Sequence, residues 1–338
     1  MVRGLVAFFQ EPGALLRRAW RVNSTLALAV LLHLALVPLL AVVLFVDPRE
    51  IGGTNGWYKP LKFALSGAVY GASLLWLLTL VQGRRRLVLA VANITGGALI
   101  VETALITLQV VRNTASHFNM RTPFDGILFS LMGFFILLLA LANFVLTVLL
   151  TLQRLPDPVR AWGIRWGLII SLAGMVSGVW MSAANLSPAS LAAVRAGQTP
   201  TVVGAHSVGV EDGGPGLPFL GWSTTGGDLR VSHFVGLHGL QVLPFCAFLL
   251  TRPWAVRRLG GQRRAALVWA AGLGYLGVTL LLLWQALRAQ PLLAPDSVTW
   301  LAAAAVAAAT AAATAAAVAA AWIDSAWWFK VPEVVGRR

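Results

Sequence analysis

The chain reads as an all-α, polytopic integral membrane protein, a helical bundle of about eight transmembrane helices with both termini cytoplasmic. Three observations predict this. It is 58% hydrophobic and only 11% charged, where soluble domains carry about 25% charged residues. Eight apolar runs reach the length of about 20 residues that crosses a bilayer core. Basic residues also crowd into alternate connections, as the positive-inside rule requires.

The runs are 24–46, 60–82, 87–111, 127–151, 164–184, 233–251, 265–286 and 298–323. The last is almost entirely alanine and is bracketed by Trp300 and Trp322, as an aromatic belt would be. Its small side chains allow neighbouring helices to approach closely. With the N-terminus inside, the inner segments hold 18 Lys/Arg and four Asp/Glu, and the outer ones eight and seven. Residues 1–23 read as a cytoplasmic interfacial segment. Leu5, Val6, Phe8, Phe9, Leu15, Leu16 and Trp20 would lie on lipid, and Arg17, Arg18 and Arg21 at head groups. Residues 324–338 form a cytoplasmic tail.

The formal net charge of +14 thus follows from topology and contact with anionic lipid rather than nucleic acid. No nucleic-acid partner is expected. The expected location is a plasma (inner) membrane, crossed many times. The expected partners are the lipid bilayer and, beyond it, a quinone or another membrane protein. The single Cys246 excludes an internal disulfide and a CxxCH haem attachment.

The longest connection, 185–232, lies outside and is rich in Gly and Pro, as in Glu211-Asp212-Gly213-Gly214-Pro215. Its length and its Phe219, Leu220 and Trp222 suggest a lid over the outer mouth of the bundle. Gly226-Gly227-Asp228 is a turn signal, with Asp228 a candidate helix cap.

Four of the five histidines, His117, His206, His233 and His238, map to this outer side. Ser-His-Phe occurs twice, at 116–118 and 232–234, each time shortly after an arginine. His33 stands alone within the first span and reads as a satisfied core histidine. Ionisable residues inside a membrane are costly and are functional candidates by default. Glu102 is the clearest. Thr95, Glu102, Gln109 and Asn113 share one face of the third span. On the second span Lys59, Lys62, Ser66, Tyr70 and Ser73 occupy one broad sector. The lysines suit snorkelling, and Tyr70 lies at about the depth of Glu102. On the sixth span His238 and Gln241 are i, i+3 neighbours. His233 and His238 stand about 140° apart on the helical wheel, so a shared site needs the helix to start after His233.

These stripes predict an outward-open cavity lined by Lys62, Tyr70, Glu102, Gln109, Arg112, His117, His238 and Gln241. The leading expectation is a haem- or metal-dependent redox protein, an oxidoreductase. His117 and His238 would be the ligands of haem b or a transition metal, His206 and His233 would be further metal ligands, and the Glu102 stripe would carry protons. An intramembrane zinc hydrolase is the second expectation, with His117, His238 and one of His233, His206 or Asp228 as ligands, and Glu102 or Glu211 as base. A transporter or channel using Lys62, Glu102 and Arg112 as a charge relay is the third. Broken helices at Gly96-Gly97 or Gly272–Gly277 would favour it.

Overall fold

The computed structural model describes residues 12–319. The expectations for residues 2–11, for Trp322 and for the 324–338 tail lie outside the described residues. The remainder is an all-α bundle with eight helices long and apolar enough to cross a membrane.

A short helix, α1 (Pro12–Val22), comes first. It leaves Leu15, Leu16 and Trp20 exposed, the apolar face expected of an interfacial helix. The Asn23 side chain then accepts from Leu26 N and starts α2 (Ser24–Val46). A tight hairpin of β1 (Glu50–Ile51) and β2 (Thr54–Asn55) leads into α3 (Tyr58–Leu78). The helices α4 (Arg85–Val111), α5 (Pro123–Leu152) and α6 (Pro158–Ala183) follow. Thr122 and Asp157 cap α5 and α6, each ahead of a proline in the first turn, where its missing N–H costs nothing.

Between α6 and the next span the chain forms α7 (Pro188–Arg195), β3 (Ser207–Val208) and β4 (Gly227–Asp228). Then come α8 (Leu229–Leu250), the short α9 (Pro253–Arg258), α10 (Gly261–Leu287) and α11 (Ser297–Ala319). The spans fall into two groups. In one, α2 to α5 pack on each other; in the other, α6, α8, α10 and α11 do, and α5 meets α6 between them.

Glycine governs this packing. On α6, Gly163, Gly167 and Gly174 lie against Leu243, Gly239 and Gly236 of α8. A Cβ on Gly174 would stand 2.7 Å from Leu237 N, so the two backbones touch. Gly96 likewise receives the α2 backbone at Leu26, and Gly274 and Gly277 receive Thr310 and Val306 of α11. Both α4 and α10 run unbroken through their glycines. The breaks that would have favoured a transporter are therefore absent from these two helices; Gly96, Gly272, Gly274 and Gly277 serve close approach, while Gly97 meets nothing within 4 Å. The sixth span also begins four residues earlier than expected, because Asp228 caps it by accepting from Arg230 N. His233 is therefore inside the helix, and the condition that would let it join His238 is not met.

The 184–228 connection crosses the end of the bundle where α3 and α8 begin. Met120 N donates to Thr201 O and Val203 N to Phe118 O, joining it to the α4–α5 loop. Ala205 N donates to Met181 O at the end of α6. Gly213 lies against Gly52 and Gly53 of the first hairpin, so close that neither turn has room for a side chain. Gly53 and Gly213 also have φ of 75° and 88°, a region that favours glycine.

Candidate functional site

At this loop end, buried charge gathers around Lys59 in the first turn of α3. Glu102 projects from the middle of α4 and is 3% exposed. Neither of its carboxylate oxygens has a hydrogen-bond partner. Oε1 stands 3.6 Å from His117 Nε2, and Lys59 acts electrostatically on both residues. His117 reaches this position because the α4–α5 loop turns sharply at Phe118, whose φ is 61°. Its ring lies among Phe63 of α3, Phe118, and Phe129 of α5. His117 Nδ1 is within 3.1 Å of Ser116 Oγ. Burial, then the nearby Lys59 and His206, hold His117 well below the usual histidine range.

Above it lies His206, with its ring 4.9 Å from that of Phe118. His206 Nδ1–H donates to Asp212 Oδ2 at 2.7 Å, and the same carboxylate accepts from the backbone N–H of His206 and Ser207. Burial opposes charge on Asp212, but the His206 contact and the two amides outweigh it and hold Asp212 below the ordinary carboxylate range. Next to this pair, Asp228 is fully committed. Its oxygens accept from Ser223 N, Arg230 N and the Arg230 guanidinium. The capping role foreseen for it is the one it fills. Lys59 and Lys62 form no ion pair within 4 Å among the described residues. Lys62 Nζ donates instead to the carbonyls of Leu220 (3.0 Å) and Phe219 (3.4 Å).

The structure thus brings Glu102 and His117 together, with Lys59 near enough to act on both electrostatically and His206 on His117, and it separates the others, Lys62 among them. Gln109 and Arg112 belong to a clamp between α4 and α5. Gln109 Nε2 donates to Asp125 Oδ1 at 3.0 Å, Arg112 Nη1 donates to the same oxygen at 2.6 Å and to Gln109 Oε1, and Thr122 Oγ1 donates to Asp125 Oδ2 at 2.7 Å. Every polar atom of the Gln109 side chain is engaged there, and Arg112 is held by Asp125, contacts that suit a clamp between helices rather than the Gln109–Asn113 proton path or the Arg112 arm of a relay. Tyr70 packs against the core that joins α2, α3, α5 and α6, with its hydroxyl unpartnered.

The histidines divide in the same way. His233 Nδ1–H donates to Gly174 O across the α6–α8 contact. His238 lies on Phe234, with ring centroids 4.1 Å apart, beside Gln241. It shares no polar or aromatic neighbour with His117 among the described residues. His33 donates to Ala29 O and accepts from Thr103 Oγ1, the satisfied core histidine the sequence suggested. Among the described residues, no three His, Cys, Asp or Glu side chains stand close enough together to hold a metal ion. The two Ser-His-Phe tripeptides also differ in conformation: the first is a loop turn and the second is helical.

Sequence reasoning missed Lys59 as the hub, because a lysine at a helix end ordinarily snorkels. It also missed Asp212, which sits in a Gly/Pro-rich run that reads as a turn. The turn is real, but it wraps two backbone amides onto the carboxylate and delivers it to His206. Comparison of the chain with models of known families, with curated proteins and with solved structures finds no match.

Proposed function

We propose that this is a multi-pass plasma-membrane protein of the transporter type, with a proton-handling site facing outward and built on Glu102, His117 and Lys59. The observation that carries this reading is the Glu102 carboxylate: buried, without a hydrogen bond, 3.6 Å from an imidazole. An ionised carboxylate in that state costs several kcal/mol unless a counter-charge answers it. The stable arrangements are therefore a neutral Glu102 or an ionised one facing charged Lys59. Switching between them moves one proton, and His117 is the group placed to pass it toward the loop end. The Phe63, Phe118 and Phe129 rings limit water around that step.

The relay expected as Lys62, Glu102 and Arg112 becomes Lys59, Glu102 and His117, since Arg112 is held by Asp125. The haem, transition-metal and zinc-hydrolase readings rest first on His117 and His238, which have separate partners. Infrared difference spectra between acid and neutral pH, taken on protein in lipid nanodiscs, test the proposal. A carboxyl C=O band that titrates in the unmodified protein should vanish in Glu102→Gln and shift its midpoint in His117→Ala and Lys59→Gln. A band that persists in Glu102→Gln refutes it.

A further inference from the structure

The helices α3 and α8 run parallel from the loop end, and they carry matching stripes. Lys62, Ser66 and Ser73 lie within about 40° of one another on α3, as do Arg230, Phe234 and Gln241 on α8. The helices are tied together low down, where Gln241 Nε2 donates to Ser73 Oγ at 2.9 Å. Eleven residues higher on each helix, about 16 Å up, Lys62 and Arg230 donate to neighbouring carbonyls of one turn, at Leu220 and at Gly221 (2.6 Å). The seam between the helices thus has a floor and a roof. Between them the Ser66 side chain is exposed and Phe234 is 41% exposed. Trp222 of the roof lies edge-on to Phe234, and His238 backs it from below.

Charge at the roof is uneven. Arg230 is neutralised by Asp228, whose two oxygens are fully used, while Lys62 meets only carbonyls. A lysine that ends on neutral acceptors beside an arginine leaves a net positive rim over an aromatic, lipid-facing wall.

We infer that the α3–α8 seam is a binding slot for a single-chain acidic amphiphile of the bilayer, with its acid group at Lys62 and its chain along Phe234 and His238. A positive rim selects an acid over an amine, and the Ser73–Gln241 contact closes the seam below. Val69 of α3, between floor and roof, is 46% exposed, so the chain meets lipid without crossing a polar barrier. The slot is distinct from the Glu102 site, and Glu102→Gln should leave binding unchanged even if the proton reading fails.

The test is photolabelling of the full-length protein in nanodiscs with a diazirine-bearing hexadecanoic acid, the adducts being mapped by mass spectrometry. Adducts are expected on 62–73 and 230–241. They should be competed by hexadecanoic acid and not by hexadecylamine or hexadecanol. Lys62→Gln should weaken competition about tenfold, as loss of one charge-assisted contact does, and Lys62→Arg should restore it. Ser66→Trp, which fills the slot from an exposed position, should abolish labelling of both stretches. Equal competition by the amine, adducts confined to other helices, or labelling undiminished in both Lys62→Gln and Ser66→Trp would overturn the proposal. Competition by phosphatidylglycerol but not by the free acid would overturn the single-chain assignment.

Discussion

Replacing Asp125 by Ala asks directly whether Gln109 and Arg112 clamp two helices or carry charge. The carboxylate is 4% exposed and accepts from three side chains. A hydrogen bond to a charged group contributes about 1.5–3 kcal/mol, but the three losses are unequal. Arg112 is 33% exposed and lies over the Phe124 ring, so it rehydrates at little cost. The Thr122 hydroxyl is at an exposed position and does the same, and it keeps its cap bond from the backbone N–H of residue 125. Gln109 is fully buried and keeps only its 3.5 Å contact to Ala115 O, so one amide N–H is left unsatisfied, at about 1–3 kcal/mol. Together these give a destabilisation of about 3 kcal/mol. The assay is the thermal midpoint in mild detergent, followed by tryptophan fluorescence, where a fall of several degrees is expected. The Glu102 infrared band should remain in Asp125→Ala at a temperature where the variant is folded. An unchanged midpoint, or loss of that band as complete as in Glu102→Gln, would refute the assignment of Gln109 and Arg112 to structure.

Other consequences can be checked independently. Gly174→Leu should prevent accumulation of folded protein, because α6 and α8 touch there, whereas Gly133→Ala, which meets nothing within 4 Å, should leave the thermal midpoint unchanged. Acid should loosen the loop end in two stages. His117 is held below its unfolded value, so its stabilising share is complete above about pH 6.5 and declines on acidification by at most about 1.4 kcal/mol per pH unit. Asp212 is also held low, so its share is complete above about pH 4 and is lost as pH falls through its folded value. Limited proteolysis around Gly213 as a function of pH should show both stages, with the first diminished in His117→Ala and not abolished, since burial also holds His206 below the usual histidine range. In a Cys246→Ala background, Gly214→Cys and Arg154→Cys should react with an impermeant maleimide from opposite sides of the membrane. Reaction of both from one side would reject the eight-span topology.

The sequence by itself determined the fold class and the number of spans, because a bilayer imposes length and apolarity on every helix that crosses it. It located the first span residue for residue at 24–46. It also identified Glu102, since an acid in a long apolar run stands out whatever surrounds it. Partnership among the polar residues was beyond its reach. A wheel places Glu102 and Gln109 on one face, but which helix that face meets depends on packing. The tertiary structure puts Asp125 opposite Gln109 and His117 opposite Glu102. The histidines show the same limit. Four of them share an expected membrane side, yet the close α6–α8 contact at Gly174 takes His233, Phe234 takes His238, and the turn at Asp212 takes His206. Shared depth is a property of the sequence once the spans are known; convergence on one point is set by helix rotation and loop path, which only the packed structure decides.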